Sequence, residues 1–175
     1  HGRLLPFLDS SELPEVSDPN LRLTLFLRGQ VDGLEQINSS DAARLGRLAC
    51  CRVLDAGPGL NPEMLVLNQA PGPEPARAWF RDARFRRAIS LALDRDNLVR
   101  NVYGGKARPL ASLTSPSAGV WADPTRPPRQ NLGEARALLT QAGFVWRQDR
   151  WYDAAGHAVS FSLIYPSSNA DRGRM

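Results

Sequence analysis

Histidine and cysteine, the side chains that most readily transfer protons at neutral pH, attack electrophiles or hold soft metals, are few in this 175-residue sequence. Its two histidines are His1 at the start and His157, which follows Gly156 in a segment that reads as a hairpin turn. The two cysteines, Cys50 and Cys51, are neighbours. Adjacent residues joined by a trans peptide do not easily meet disulfide geometry, and without Cys-x-x-Cys spacing or a nearby His they make no zinc site. They read as two small buried apolar residues leading into a strand. Gly-x-Ser-x-Gly and His-Glu-x-x-His are absent, and Gly57-Pro58-Gly59 and Gly104-Gly105 lack the Lys and Ser/Thr of a phosphate loop. The sequence shows no catalytic constellation, and neither a cofactor nor a resident metal is expected.

Non-covalent recognition is the remaining chemistry, and its candidates lie in irregular segments. These are Asn68 at a strand end, Ser115 and Trp121 in a proline-rich loop, and Tyr165 and Arg172 around the last strand exit. Trp121 offers flat contact area at low entropy cost, and Arg172 suits a carboxylate bidentately. Trp121 reads more readily as a cover for the core than as a ligand contact. Arg86 and Asp94, eight apart and so on the same side of a helix, read as structural, with Asp94 capping or pairing with Arg95. Asp32 reads as a turn residue.

Charge narrows the function classes. The net charge is +4 and the pI about 9.7, with Lys106 the only lysine among 22 basic residues. The densest cluster places Arg77, Arg81, Arg84, Arg86 and Arg87 against Asp82. Acidic residues intersperse the rest, so a solvated helix face is favoured there over a nucleic-acid surface. With 42% hydrophobic and 23% charged positions, the chain suits a packed domain or a large piece of one. No run approaches the roughly 18 apolar residues of a membrane-spanning helix, and the N-terminus has no apolar signal core.

The elements that must position these residues follow from periodicity and punctuation. Residues 1–17, cut by Pro6 and Pro14, read as an extended leading segment. Asp18-Pro19 opens a helix to Arg28, ended by Gly29. Residues 30–34 read as a short strand or turn, and Ser39, Ser40 or Asp41 caps a second helix bearing Ala42, Leu45 and Leu48. Cys50–Leu54 and Met64–Leu67 read as strands, and Pro71, Pro73 and Pro75 as a loop. One long helix is expected from Asp82 to Val102, ended by Gly104-Gly105. Residues 106–130, with Pro109, Pro116, Pro124, Pro127 and Pro128, read as a loop. Asn131 caps a helix to Ala142, ended by Gly143. Trp151–Tyr165 reads as a hairpin whose second strand alternates Val159, Phe161, Leu163 and Tyr165. Residues 167–175 read as a polar loop entering another helix; both ends read as cuts, and a fragment is expected.

Several of these segments, in order, resemble the middle of the family 5 extracellular solute-binding proteins, the dipeptide, oligopeptide and nickel receptors of ABC importers. The most specific runs from Phe80 to Val99, FRDARFRRAISLALDRDNLV, with Arg86, Ala88, Ile89, Asp94 and Arg95 in matching places. Arg28–Gly33 resembles the family's glycine-then-aspartate turn, Val66–Asn68 its strand ending in asparagine, and Glu134–Phe144 its Ala-x-x-Leu-Leu-x-x-Ala-Gly-Phe helix. Trp151–Phe161 is similar to the hairpin that follows that helix.

The resemblance implies an α/β fold: residues 18–175 would form part of one lobe of a two-lobed periplasmic-binding fold, a mixed sheet flanked by helices. It implies a non-enzymatic protein that captures peptides or a similar small solute by lobe closure and delivers it to ABC permease subunits. The place implied is periplasmic or extracellular, attached to the cytoplasmic membrane. In the family a carboxylate holds a peptide's terminal amine, and its position lies beyond Met175. An arginine-rich nucleic-acid-binding or protein-interaction domain built on residues 77–87 is the alternative from another class, and a sensing or chaperoning relative is a third. Self-association of the chain in isolation is a further expectation.

Overall fold

The structure, a computed structural model, describes residues 8–35, 37–60, 62–166 and 173. The proposed ligand residue Arg172, the loop-to-helix reading of 167–175 save Gly173, and residues 1–7 of the leading segment lie outside the described residues.

Six α-helices and one hairpin are present among them: α1 Pro19–Leu27, α2 Ser39–Leu45, α3 Pro75–Arg81, α4 Ala83–Ala92, α5 Arg95–Asn101, α6 Leu132–Gln141, β1 Val145–Arg147 and β2 Arg150–Tyr152. Local signals start and stop α1 and α6 where the sequence puts them. Asp18 accepts hydrogen bonds from the Asn20 and Leu21 amides, and Pro19 supplies the first helical residue. Asn131 accepts from the Glu134 amide at the start of α6. Both helices end in a Schellman motif: Gln30 donates to the Leu25 carbonyl after α1, and Phe144 to the Leu139 carbonyl after α6. Gly29 (φ +68°) and Gly143 (φ +88°) take the left-handed conformation each motif requires.

Elsewhere the structure corrects the sequence reading. The helix expected from Asp82 to Val102 is two, because Leu93 turns extended (ψ 121°) and Asp94 starts α5 as its N-cap, accepting from the Asn97 amide. Helix α2 is capped by Asn38, one residue before the expected candidates, with its side chain accepting from the Asp41 amide. Pro75, read as loop, is the first residue of α3. Cys50–Leu54 and Met64–Leu67 form no strand, since no neighbour among the described residues pairs their backbone. The cysteines are not buried: Cys50 is exposed and Cys51 half-buried.

The expected mixed sheet is represented, among the described residues, by the antiparallel pair β1–β2. Gln148 and Asp149 (φ 50° and 57°) make its two-residue turn, the positive-φ pair that matches strand twist. The hairpin expected over Trp151–Tyr165 is reduced to one bridge, Tyr152 to Ala158, continued by a 2.7 Å hydrogen bond from the Val159 amide to the Trp151 carbonyl. Of the alternating run, Val159 packs on the core and Phe161 meets the Phe80 ring edge-on at 5.2 Å. Leu163 and Tyr165 are exposed, so the alternation ends at the core's edge.

The core is aromatic. Trp79, Phe80, Phe85 and Phe144 are buried together, with ring centroids 5.1–6.1 Å apart in tilted and edge-on pairs. Leu67, Trp151 and Val159 close over it. Beside it α4 and α6 pack through Ala88, Leu91 and Ala135, the two alanines leaving room for Leu91 between the helices.

Candidate ligand-binding surface

The polar residues of the α3–α5 segment serve the fold. Each helix end leaves carbonyls without intrahelical partners, and three arginines answer them. Arg86 donates to the Phe80 and Arg81 carbonyls at the end of α3, at 2.9 and 2.8 Å. Arg95 donates to the Ser90 carbonyl and hydroxyl near the end of α4, at 2.6 and 2.8 Å. Arg84 donates to the Gln141 carbonyl of α6 at 2.7 Å. Two further carbonyls at the end of α4 are met from the approach to α6: the Asn131 N–H donates to Leu91, and the Gln130 side-chain amide to Ala92. A guanidinium suits a helix C-terminus in charge as well as in donor number.

The same arginines bear on the basic cluster. Arg77 pairs with Glu74 at 3.4 Å, Arg84 with Asp82 at 2.7 Å and Arg87 with Glu134 at 3.8 Å. The hydrogen bond from Arg84 holds the Asp82 carboxyl below its usual value against the opposing effect of burial. Four of the five cluster arginines, 77, 84, 86 and 87, are thus engaged within the chain.

The four described ligand candidates sit in separate local settings, and among the described residues no hydrogen bond or ring contact joins any two of them. Asn68 is exposed and accepts from the Ala70 amide, an Asx turn. Ser115 is buried and accepts from the Ser117 amide, capping the first of two 3₁₀ turns that span Pro116–Trp121 and break at Gly119 (φ 60°). Trp121 ends that segment 80% exposed, so it does not cover the core. Tyr165 is 56% exposed.

One surface was missed in the sequence. Trp146 and Trp151, partners across β1 and β2, meet edge-on at 5.4 Å and line a cleft of about 350 Å³ with Asp149, Arg150, Val159 and Ser160. The two tryptophans, set across so short a turn, were the available signal. A smaller cleft of about 210 Å³ lies where the loop carrying Arg126 and Arg129 meets Asp94 and Asp96. Under the hairpin, Asp153 accepts from the Trp79 indole, from the backbone amides of Ala155 and His157, and lies 3.0 Å from the His157 ring. Burial pushes that carboxyl's pKa up, but the bonds from His157 and Trp79 outweigh it and hold it below the usual value.

Comparison with known proteins decides the family. The pattern of the bacterial extracellular solute-binding proteins, family 5, middle part, matches residues 5–175. The chain belongs to that family. Its relatives include a probable ABC transporter-binding protein of Deinococcus radiodurans, 26% identical over 99% of this chain and 30% of the relative. A glutathione-binding protein, GsiB, of Salmonella choleraesuis is 27% identical over 80% of this chain and 26% of its own length. A probable deoxycholate-binding periplasmic protein, YgiS, of Escherichia coli is 34% identical over 62% and 18%. The chain therefore spans about a third or less of the curated relatives it matches. No solved structure matches it. The family implies a two-lobed periplasmic-binding fold and a binding component of ABC transporters rather than an enzyme. No helix among the described residues is long and apolar enough to cross a membrane.

Proposed function

We propose that this chain forms part of one lobe, over residues 18–175, of a receptor that captures peptides or a similar small solute outside the cytoplasmic membrane and hands it to an ABC permease. The family match over residues 5–175 carries this reading. The names of the relatives point the same way, since glutathione is itself a small peptide and deoxycholate a small amphipathic solute.

In this reading Trp121 and Tyr165 present aromatic faces to the ligand, Asn68 supplies an amide beside it, and Arg172 meets a carboxylate. Ser115, a ligand candidate in the same loop, caps the turn that precedes Trp121's own across Gly119. A ligand enclosed between two lobes loses its water on closure, and closure is a shift between open and closed populations.

Calorimetric titration of a peptide panel, with glutathione, deoxycholate, nickel and simple sugars alongside, into the whole receptor and into this chain alone tests the proposal. Peptide binding by the receptor and none by the chain alone is the expected result. A receptor that takes nickel or a sugar but no peptide overturns the ligand class, and one that takes none of the panel leaves the family without this function.

A further inference from the structure

We propose that Cys50 and Cys51 form a two-sulfur clamp for a trivalent organoarsenical, a soft pyramidal centre that binds both thiols at once. The two sulfurs lie 3.1 Å apart in a thiol–thiol hydrogen bond. They sit on the surface, Cys50 exposed and Cys51 half-buried, and are the only cysteines of the sequence. Successive turn bonds, from Gly46 to Ala42, Leu48 to Leu45 and Cys51 to Leu48, hold the backbone from the end of α2 through to the pair. A pair so placed has little left to order on binding.

Geometry selects the ligand. A direct disulfide needs sulfurs about 2.05 Å apart, and α-carbons usually about 4.4–6.8 Å apart, which neighbours about 3.8 Å apart do not reach without strain. One bridging atom removes that demand. With each sulfur about 2.3 Å from the bridge, the observed 3.1 Å separation gives an angle there of about 85°. That is close to the angle of a pyramidal trivalent centre, whereas a tetrahedral zinc ion would spread the sulfurs to about 3.8 Å. Structural zinc also asks for four ligands, and no group of three or more His, Cys, Asp or Glu side chains placed to hold a metal exists among the described residues.

Protonation agrees. The hydrogen bond with Cys50, which favours the protonated Cys51 thiol, raises its pKa, with smaller contributions from burial and the neighbouring charge. Divalent metals require that thiols first lose their protons. An arsonous acid, R–As(OH)₂, does not: each thiol proton leaves with one hydroxyl as water, two As–S bonds replace two As–O bonds, and nothing is oxidised or reduced.

The test is phenylarsonous acid added to the pre-reduced chain, followed by intact-mass spectrometry, with Cys50→Ala and Cys51→Ala alongside and zinc alone as a second probe. Circular dichroism establishes that the variants fold. One phenylarsenic per chain is expected, with two thiols lost to titration. Holding through both sulfurs makes the second bond intramolecular, so each single variant should release the arsenical to monothiol about 100-fold more readily. Equal retention by either folded variant, no capture by the reduced chain, or tighter holding of zinc than of the arsenical overturns the proposal.

Discussion

Asp153 joins parts of the chain that are far apart in sequence. Its two carboxylate oxygens take the Trp79 indole of α3 and the backbone and ring of His157 beyond the hairpin turn. Asp153→Ala leaves the buried Trp79 N–H without its acceptor, and should cost about 1–3 kcal/mol of stability in a denaturant titration. Asp153→Asn, which keeps one acceptor oxygen, should cost less. The pH dependence follows from the direction of the shift. The carboxyl's pKa is lower in the folded chain than in the unfolded one, so its stabilisation is complete above the ordinary carboxylate pKa of about 4 and is lost as the pH falls through the lower folded value. Melting temperature against pH should therefore fall in acid less steeply in Asp153→Ala than in the parent. Identical acid limbs would show that Asp153 contributes nothing to acid unfolding. Arg86 and Asp94, read in the sequence as structural, bind helix ends in the structure. The ligand candidates were harder to read, because a loop residue such as Trp121 is placed by contacts that no local pattern encodes.

Elements were legible where their causes are local. Capping at Asp18 and Asn131, and glycine after α1 and α6, act within one turn and fix those helices whatever surrounds them. Gly143→Ala isolates that effect: no atom lies within 4 Å of the added methyl, so the change costs only the left-handed backbone, about 1–2 kcal/mol. A smaller loss in a urea titration would mean that the Schellman turn relaxes. The break between α4 and α5 was not legible, since its apolar period runs on through Leu93. What decides it is tertiary: Arg95, Asn131 and Gln130 take the carbonyls of Ser90, Leu91 and Ala92, so ending the helix there leaves few bonds unmade. Removing the Asp94 cap by Asp94→Ala should cost about 0.5–2 kcal/mol, with amide exchange accelerating in α5 more than in α4. Equal acceleration in both would show one cooperative helix. The β1–β2 hairpin escaped notice because its strands have three residues each and its turn uses Gln148 and Asp149 instead of glycine. Cys50–Leu54 and Met64–Leu67 carry the apolar residues of strands, but a strand exists only when another lies beside it.

That last point governs the whole molecule. Met64, Val66, Leu163, Ile164 and Tyr165 are 52–95% exposed, in two segments of strand-like sequence, one leading to the core at Leu67 and the other leaving it after Phe161. Backbone that pairs with no strand among the described residues, flanked by apolar side chains, invites pairing with another chain. In the proposed receptor such segments would belong to a larger sheet, and in the chain alone a second copy is the available partner. The chain in isolation should therefore associate as its concentration rises, and static light scattering should give a mass above the 19.3 kDa of one copy. Ile164→Lys places a charge at the most exposed of these positions, where it touches nothing in the core, and should shift the mass toward the monomer without lowering the melting temperature. A monodisperse monomer for the parent would rule out association, and an unchanged mass for the variant would move it to another surface. If Ile164→Lys is monomeric, the same protein separates the two roles of residues 159–164: Val159 and Phe161 hold the fold through the aromatic core, and Leu163 and Ile164 beyond them serve contacts between chains or lobes.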